Sequence, residues 1–279
     1  MLREIPVTRI QEAVETLLSE AAYRLPADYL AALEAAAPVE PSPLGRQVIE
    51  LLLENSAYAQ AEQIPTCQDT GMAILFLEVG QDVHFTGGDL DAAIQNGVRA
   101  AYGGLRKSVV GDPICRANTG DNTPGLIHFE IVPGDRVTVT ALQKGFGAEL
   151  MSRLQMFPPS VGVEGVNRFV VETVELAGPN ACPPLIVGVG LGGAFDTVAH
   201  LAKKALLRPI GSTHPAPHLA ALEAELLDAI NRTGIGPQGL GGRVTALAVH
   251  IESAATHIGA LPVAVNLNCS APRRARVEI

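Results

Sequence analysis

The spacing of apolar positions separates a helical N-terminal stretch from a longer body in which short apolar runs alternate with helices. Between Val7 and Ala21, the residues Ile10, Ala13, Val14, Leu17, Leu18 and Ala21 recur three and four apart, the period of one helix face. Pro26-Ala27-Asp28 ends that helix and starts another, which runs to about Ala37. A linker, Pro38 to Pro43, leads to a longer helix from Leu44 to Gln63. Amphipathic helices of this kind usually build a packing and interface layer.

Beyond residue 70 the pattern changes. Met72–Val79, Leu126–Val132, Val137–Leu142, Leu185–Val189, Val244–Ile251 and Leu261–Leu267 are apolar or alternating runs of strand length. Helical stretches separate them: Leu90 to about Leu105, Val163–Leu176, Phe195–Leu207 and His218–Arg232. The runs on either side of Pro133-Gly134-Asp135 are expected to pair as a hairpin. The pattern predicts an α/β protein, with mixed β-sheets flanked by helices and a helical N-terminal layer. No repeat or long low-complexity linker marks a boundary. Residues 1–279 are therefore expected to form one domain, with 1–63 as helical layer and 64–279 as α/β body.

Composition narrows the function classes. The chain is 47% hydrophobic and only 18% charged, with no Trp, which suggests some surface buried against a partner. A net charge of −9 argues against binding nucleic acid or an anionic membrane. A small anionic substrate would need local cations. No run approaches the ~20 apolar residues of a membrane span. Met1-Leu2-Arg3-Glu4-Ile5-Pro6 lacks a signal-peptide pattern, so the expected location is the cytoplasm, where disulfides are rare.

The stretch Ile64-Pro65-Thr66-Cys67-Gln68-Asp69-Thr70-Gly71 sets a thiol, an amide and a carboxylate side by side just before a buried strand. Such a trio suits a metal site with substrate-binding groups beside it. The four Cys, at 67, 115, 182 and 269, form no CxxC pair, which excludes zinc-ribbon and ferredoxin spacings. Cys67, Cys182 and Cys269 share one context, a strand edge among Pro, Gly or small polar residues, whereas Cys115 lies in a loop. Three such thiolates fit an iron–sulfur cluster with one open iron, a three-Cys zinc site, or three buried structural thiols. Spacing does not separate these.

Other segments are candidates for binding. Arg116–Gly125 is all turn formers and hydrogen-bonding side chains, either an exposed turn or a ligand-facing loop. Lys144-Gly145-Phe146-Gly147 could offer backbone N–H groups to an anion, with Lys144 adding charge. Gly188-Val189-Gly190-Leu191-Gly192-Gly193 matches G-x-G-x-x-G before a helix. The acid that a dinucleotide site needs ~20 residues later is missing until Glu223. A carboxylate could still sit at that helix N-terminus. Gly234–Gly242 is a second Gly-rich loop, and Arg273, Arg274 and Arg276 form a basic tail. His257 shares a segment with Glu252 and precedes the strand that delivers Cys269.

In this order, IPTCQDTG, RANTGDNTP, KGFG, ACPP, GVGLGG and HIGALPVAVNLNC resemble the class I, iron–sulfur-dependent fumarate hydratase family. The likeness is to the α subunit of its two-subunit form, a type shared with L(+)-tartrate dehydratase, and it runs from about Arg3 to the C-terminus. The resemblance implies a [4Fe-4S] cluster held by Cys67, Cys182 and Cys269, whose open iron binds a small dicarboxylate. It implies catalytic or substrate-contacting roles for Asp69 and His257. Substrate binding falls to Gln68, to Arg106 as a carboxylate partner, and to the backbone of Gly145 and Gly147. The implied activity is that of a hydro-lyase interconverting fumarate and L-malate. Tartrate dehydration and a non-catalytic cluster-binding subunit are the alternatives. The family's β subunit normally supplies further Arg, Lys and Thr groups, so a β partner in a heterotetramer is expected, or a homo-oligomer. One departure stands out: Ala148-Glu149-Leu150-Met151-Ser152 follows KGFG where the family usually has Ser-Glu-Asn.

Overall fold

A computed structural model describes residues 2–279. It contains eight α-helices and ten strands among the described residues, grouped in two compact units. The first unit comprises Met1–Pro26, Ser56–Phe146 and Pro272–Ile279; the second comprises Ala27–Asn55 and Gly147–Ala271. The division falls inside a helix, α3 (Pro43–Glu62).

In the first unit, β1 (Arg3–Pro6) pairs in parallel with β3 (Val83–Thr86) ahead of helix α1 (Val7–Tyr23). The main sheet has the order β10-β5-β2-β4, built from β2 (Met72–Gly80), β4 (Leu126–Val132), β5 (Val137–Lys144) and β10 (Arg273–Glu278). α4 (Leu90–Ala101) starts at Asp89, whose side chain accepts the Ala92 N–H at 2.7 Å, an N-cap that satisfies an otherwise orphan donor. The predicted apolar stripe of α1 packs Ile10, Val14, Leu17 and Leu18 against Ile94 and Val98 of α4. Leu75, Leu77, Val137 and Val139 of the sheet complete that core.

Two expectations fail here. β4 and β5 do not form a hairpin: β2 lies between them, parallel to β4 and antiparallel to β5. The cause is that β2 is the most apolar of the three, and a strand buried on both faces is most stable with a partner on each side. The basic tail is also a strand. β10 pairs antiparallel with β5, and Arg273 is 1% exposed.

The second unit carries a sheet of order β6-β9-β7-β8, from β6 (Arg153–Phe157), β7 (Leu185–Gly192), β8 (Ala246–Ala254) and β9 (Leu261–Asn268). β7 and β8 are parallel, and the other pairs are antiparallel. Side chains alternate across a strand, so β7 shows two different faces. Leu185, Val187 and Val189 enter a core with Val170 and Val174 of α6 (Gly162–Ala177) and with Leu226 and Ile230 of α8 (Pro217–Asn231). On the other face, Gly188 and Gly190 meet α7 (Phe195–Ala205) so closely that a Cβ would stand 2.2 Å from the carbonyls of Ala202 and Val198. The first glycines of the G-x-G-x-x-G string therefore lie inside a strand and admit a helix. α2 (Ala27–Ala36) also belongs to this unit. The architecture is α/β with mixed sheets, helices against them and an N-terminal helical stretch, as the apolar pattern predicts.

Candidate active site

In the first unit, the segment around Cys67 enters β2 through a turn closed by Asp69. Asp69 Oδ1 accepts the Gly71 N–H at 2.9 Å, and Oδ2 accepts the Phe146 N–H at 2.7 Å. One carboxylate thus ties IPTCQDTG to KGFG. Gly71 has φ +64°, and a Cβ there would fall 2.4 Å from the Lys144 carbonyl, so only glycine permits this approach. The Cys67 Sγ lies 3.5 Å from Gln68 Oε1, and exposed Arg106 reaches the Gln68 carbonyl at 3.5 Å. Cys67, Gln68, Asp69, Arg106 and Gly145 are thus gathered within one unit.

The loop from Arg116 to Gly125 braces this region. Buried Asn122 accepts the N–H groups of Ser108 and Val109 and donates to the Arg106 carbonyl at 2.8 Å. Its neighbour Asp121 accepts from the Thr123 hydroxyl and N–H and from Arg99, which together hold its carboxyl well below the usual range. Asn122 thereby pins the segment carrying Arg106 to this loop.

Lys144 departs from its expected role. It is fully buried, and its Nζ donates to the Gly145 carbonyl at 3.1 Å, so it does not charge the loop's outer surface. The Phe146 N–H is already taken by Asp69. Two residues that the sequence pattern missed surround Asp69. Arg273 Nη2 and Asp69 Oδ2 stand 3.4 and 3.3 Å from where a Gly145 Cβ would be. Tyr102 donates to the Thr70 carbonyl. Burial pushes its phenol up; the Arg273 cation opposes that shift and the Asp69 carboxylate adds to it.

In the second unit, Cys182 and Cys269 share one corner. Cys269 follows β9 and Cys182 precedes β7, and these strands are antiparallel neighbours with Ile186 opposite Asn268. The Ser270 N–H donates to the Cys182 carbonyl at 2.9 Å, which joins the two turns. Cys182 adopts a left-handed backbone (φ 54°) and is exposed, while Cys269 is half-buried. Gln238, from the second Gly-rich loop, donates through Nε2 to the Pro183 carbonyl at 2.8 Å and the Ser270 hydroxyl at 2.9 Å. Tyr29 donates to the Ser270 carbonyl at 2.8 Å. Glu40, 1% exposed, accepts the N–H groups of Arg243 and Val244 just after that loop. The Gly234–Gly242 loop is thus a brace for the two thiol-bearing turns.

None of the four cysteines is in a disulfide. Thiols at strand edges, with the turns of Cys182 and Cys269 joined by the Ser270–Cys182 backbone bond, are the donor chemistry an iron–sulfur cluster requires. Among the described residues no group of three or more His, Cys, Asp or Glu is gathered as a metal site, and Cys67 belongs to the other unit. His257 is exposed in the turn between β8 and β9, where its Nδ1 accepts the Gly259 N–H at 3.1 Å. The eight residues of β9, about 26 Å of extended chain, lie between it and Cys269, together with the Ile258–Ala260 turn. In the segment after KGFG, Glu149 pairs with Lys203 and accepts from Asn266, and Ser152 Oγ accepts the Leu267 N–H, so both side chains brace β9.

The class of protein, a hydro-lyase, comes from likeness to known proteins. A family model described as fumarate hydratase (Fumerase) matches residues 11–278, and the chain belongs to that family. It is 42% identical over 275 residues, 96% of each chain, to a Methanocaldococcus jannaschii protein named provisionally as an L(+)-tartrate dehydratase subunit alpha. It is 37% identical to the L(+)-tartrate dehydratase subunit alpha of Escherichia coli K12, over 96% of this chain and 90% of that one. Among the described residues no helix is long and apolar enough to cross a membrane.

Proposed function

We propose that this chain is the α subunit of a two-subunit cytoplasmic hydro-lyase that interconverts fumarate and L-malate, with a β subunit completing its site. The joined turns of Cys182 and Cys269 carry this reading, in a chain that belongs to the fumarate hydratase family. Cys67, Cys182 and Cys269 would hold a [4Fe-4S] cluster, which when bound supplies a Lewis-acidic iron for the leaving hydroxyl. Cys115, exposed in its loop, stays outside the set.

The chain's own residues do the rest. Arg106 binds one carboxylate of the diacid, and its guanidinium suits two oxygens at once. Gln68 orients the substrate beside it. The N–H groups of Gly145 and Gly147 face the negative charge that builds on the carboxylate as the adjacent C–H bond breaks. Asp69 exchanges that proton. Each of its oxygens accepts one backbone N–H and keeps a lone pair for the proton. His257 lies a full strand from Cys269, so in this reading it serves a substrate held by another copy of the chain, in a homo-oligomer or heterotetramer.

A second reading, dehydration of L(+)-tartrate, is favoured by the names of the relatives. The test is anaerobic reconstitution of the chain with and without a candidate β subunit, followed by assay with malate, fumarate and tartrate. Turnover of malate and fumarate is expected. Inactivity of the complete complex with every diacid would sink the enzyme reading. Turnover of tartrate far above malate would select the second substrate.

A further inference from the structure

Arg273 is the largest fully buried side chain among the described residues, and two of its guanidinium nitrogens, Nε and Nη2, have no hydrogen-bond partner. Buried charged donors are rarely left unpaired, because they lose water without replacement. The orphaned pair is specific. Nε–H and Nη2–H lie parallel along one edge of the guanidinium, the geometry that receives both oxygens of a carboxylate. The remaining nitrogen, Nη1, is not among the orphans.

The neighbourhood is tight. Gly145 has no side chain, and a Cβ on it would lie 3.3 Å from Asp69 Oδ2 and 3.4 Å from Arg273 Nη2, so glycine lets the carboxylate and the guanidinium come close on either side of it. Register holds the arginine there. Arg273 is the first residue of β10, opposite Gln143 of β5, and β5 runs into Lys144-Gly145. Asp69 is held by the Gly71 and Phe146 N–H groups, so it does not turn freely toward the guanidinium.

We propose that Arg273 is a substrate-binding residue: its Nε/Nη2 edge receives one carboxylate of the diacid beside Gly145 and Asp69. This rests on the hydro-lyase reading and assigns a second cation, besides Arg106, to the recognition of a doubly charged substrate. The carboxylate bound there sets the neighbouring carbon beside Asp69. A substrate with one carboxylate would forfeit this contact.

The test uses the anaerobically reconstituted α–β complex and the variants Arg273→Lys, Arg273→Met and Gly145→Ala, with Arg276→Lys as a surface control. Arg273→Lys keeps the charge but loses the two-pronged edge. Gly145→Ala keeps the arginine and sets a methyl against Asp69 and the Arg273 edge, in a backbone conformation that alanine tolerates. Each site variant should raise the diacid KM on the order of 10- to 100-fold, with a much smaller change in kcat. The control should stay within about twofold. Succinate, a diacid that cannot be dehydrated, should bind the variants correspondingly more weakly by calorimetry. A KM within threefold of wild type in Gly145→Ala or in folded Arg273→Lys overturns the proposal. So does a loss confined to kcat, which would make Arg273 a positioner of Asp69. Arg273-dependent succinate binding by a complex that turns over no diacid would instead retain this site and reject the hydro-lyase reading.

Discussion

Asp69 is proposed as a proton-transfer group, yet it is also a structural tie, and the two roles separate by substitution. Asp69→Ala removes the acceptor for two backbone N–H groups, those of Gly71 and Phe146. A hydrogen bond to a charged acceptor contributes about 1.5–3 kcal/mol when fully buried. The Phe146 bond is exposed and the Gly71 bond partly buried, so each falls to about 1 kcal/mol, giving about 2 kcal/mol for the alanine variant. For a chain of this size that is a drop of about 4–8 °C in Tm. Asp69→Asn keeps one oxygen and should lose about half as much. Its kcat should nevertheless fall by about 10²–10⁴, because an amide does not exchange the proton. The assays are thermal unfolding of the chain by circular dichroism and turnover by the reconstituted complex. Glu34→Ala, on an exposed position of α2, serves as control and should stay within about 0.5 kcal/mol. A Tm for Asp69→Ala within 1 °C of wild type would refute the tie, with ~1 °C as the practical limit for a null effect. Full turnover by Asp69→Asn would refute the proton-transfer role.

Replacing Cys67, Cys182 or Cys269 by Ser should abolish the brown cluster absorbance, whereas Cys115→Ser should keep it; a full cluster in any of the first three overturns the ligand set. Gly190→Ala should cost about 3 kcal/mol in urea unfolding, since its Cβ would meet the Val198 carbonyl at 2.2 Å. A neutral result there would contradict the close seat of α7. The Asp121 carboxyl is held low by the Thr123 hydroxyl and N–H and by Arg99, so its contribution is present above the usual carboxylate pKa and lost as pH falls toward its folded value. The stability gap between wild type and Asp121→Asn should therefore close as pH drops below about 4, and a gap independent of pH would exclude this linkage.

Much of the fold was legible because local patterns report burial. The stripe of α1, the runs of β2, β5, β7 and β9, and the helices α6, α7 and α8 all lie close to where period and breakers put them. Short strands were not. β1, β3 and β6 have four or five residues, too few for alternation to register. β10 was hidden by its arginines, which read as a solvated tail until β5 is seen beside it. The placement of β2 between β4 and β5 depends on long-range pairing that a turn signal at Pro133-Gly134-Asp135 does not encode.

At the candidate site the division is sharper. Residue types and order along the chain were enough to single out Cys67, Gln68, Asp69, Cys182, Cys269 and the Gly145–Gly147 loop, because chemistry-bearing side chains stand out in short glycine- and proline-rich segments, whereas Arg106 was nominated only by the family resemblance. What they touch was not readable there. Asp69 finds the Phe146 N–H across 77 residues, and Arg273 comes up against Gly145. The ACPP turn meets the NLNCS turn through a single backbone bond. Such contacts belong to sheet register, which sums pairings over the whole unit rather than over any one segment. The same holds for the glycines of GVGLGG. As a string they match a nucleotide loop, and in the fold they are the space that α7 occupies.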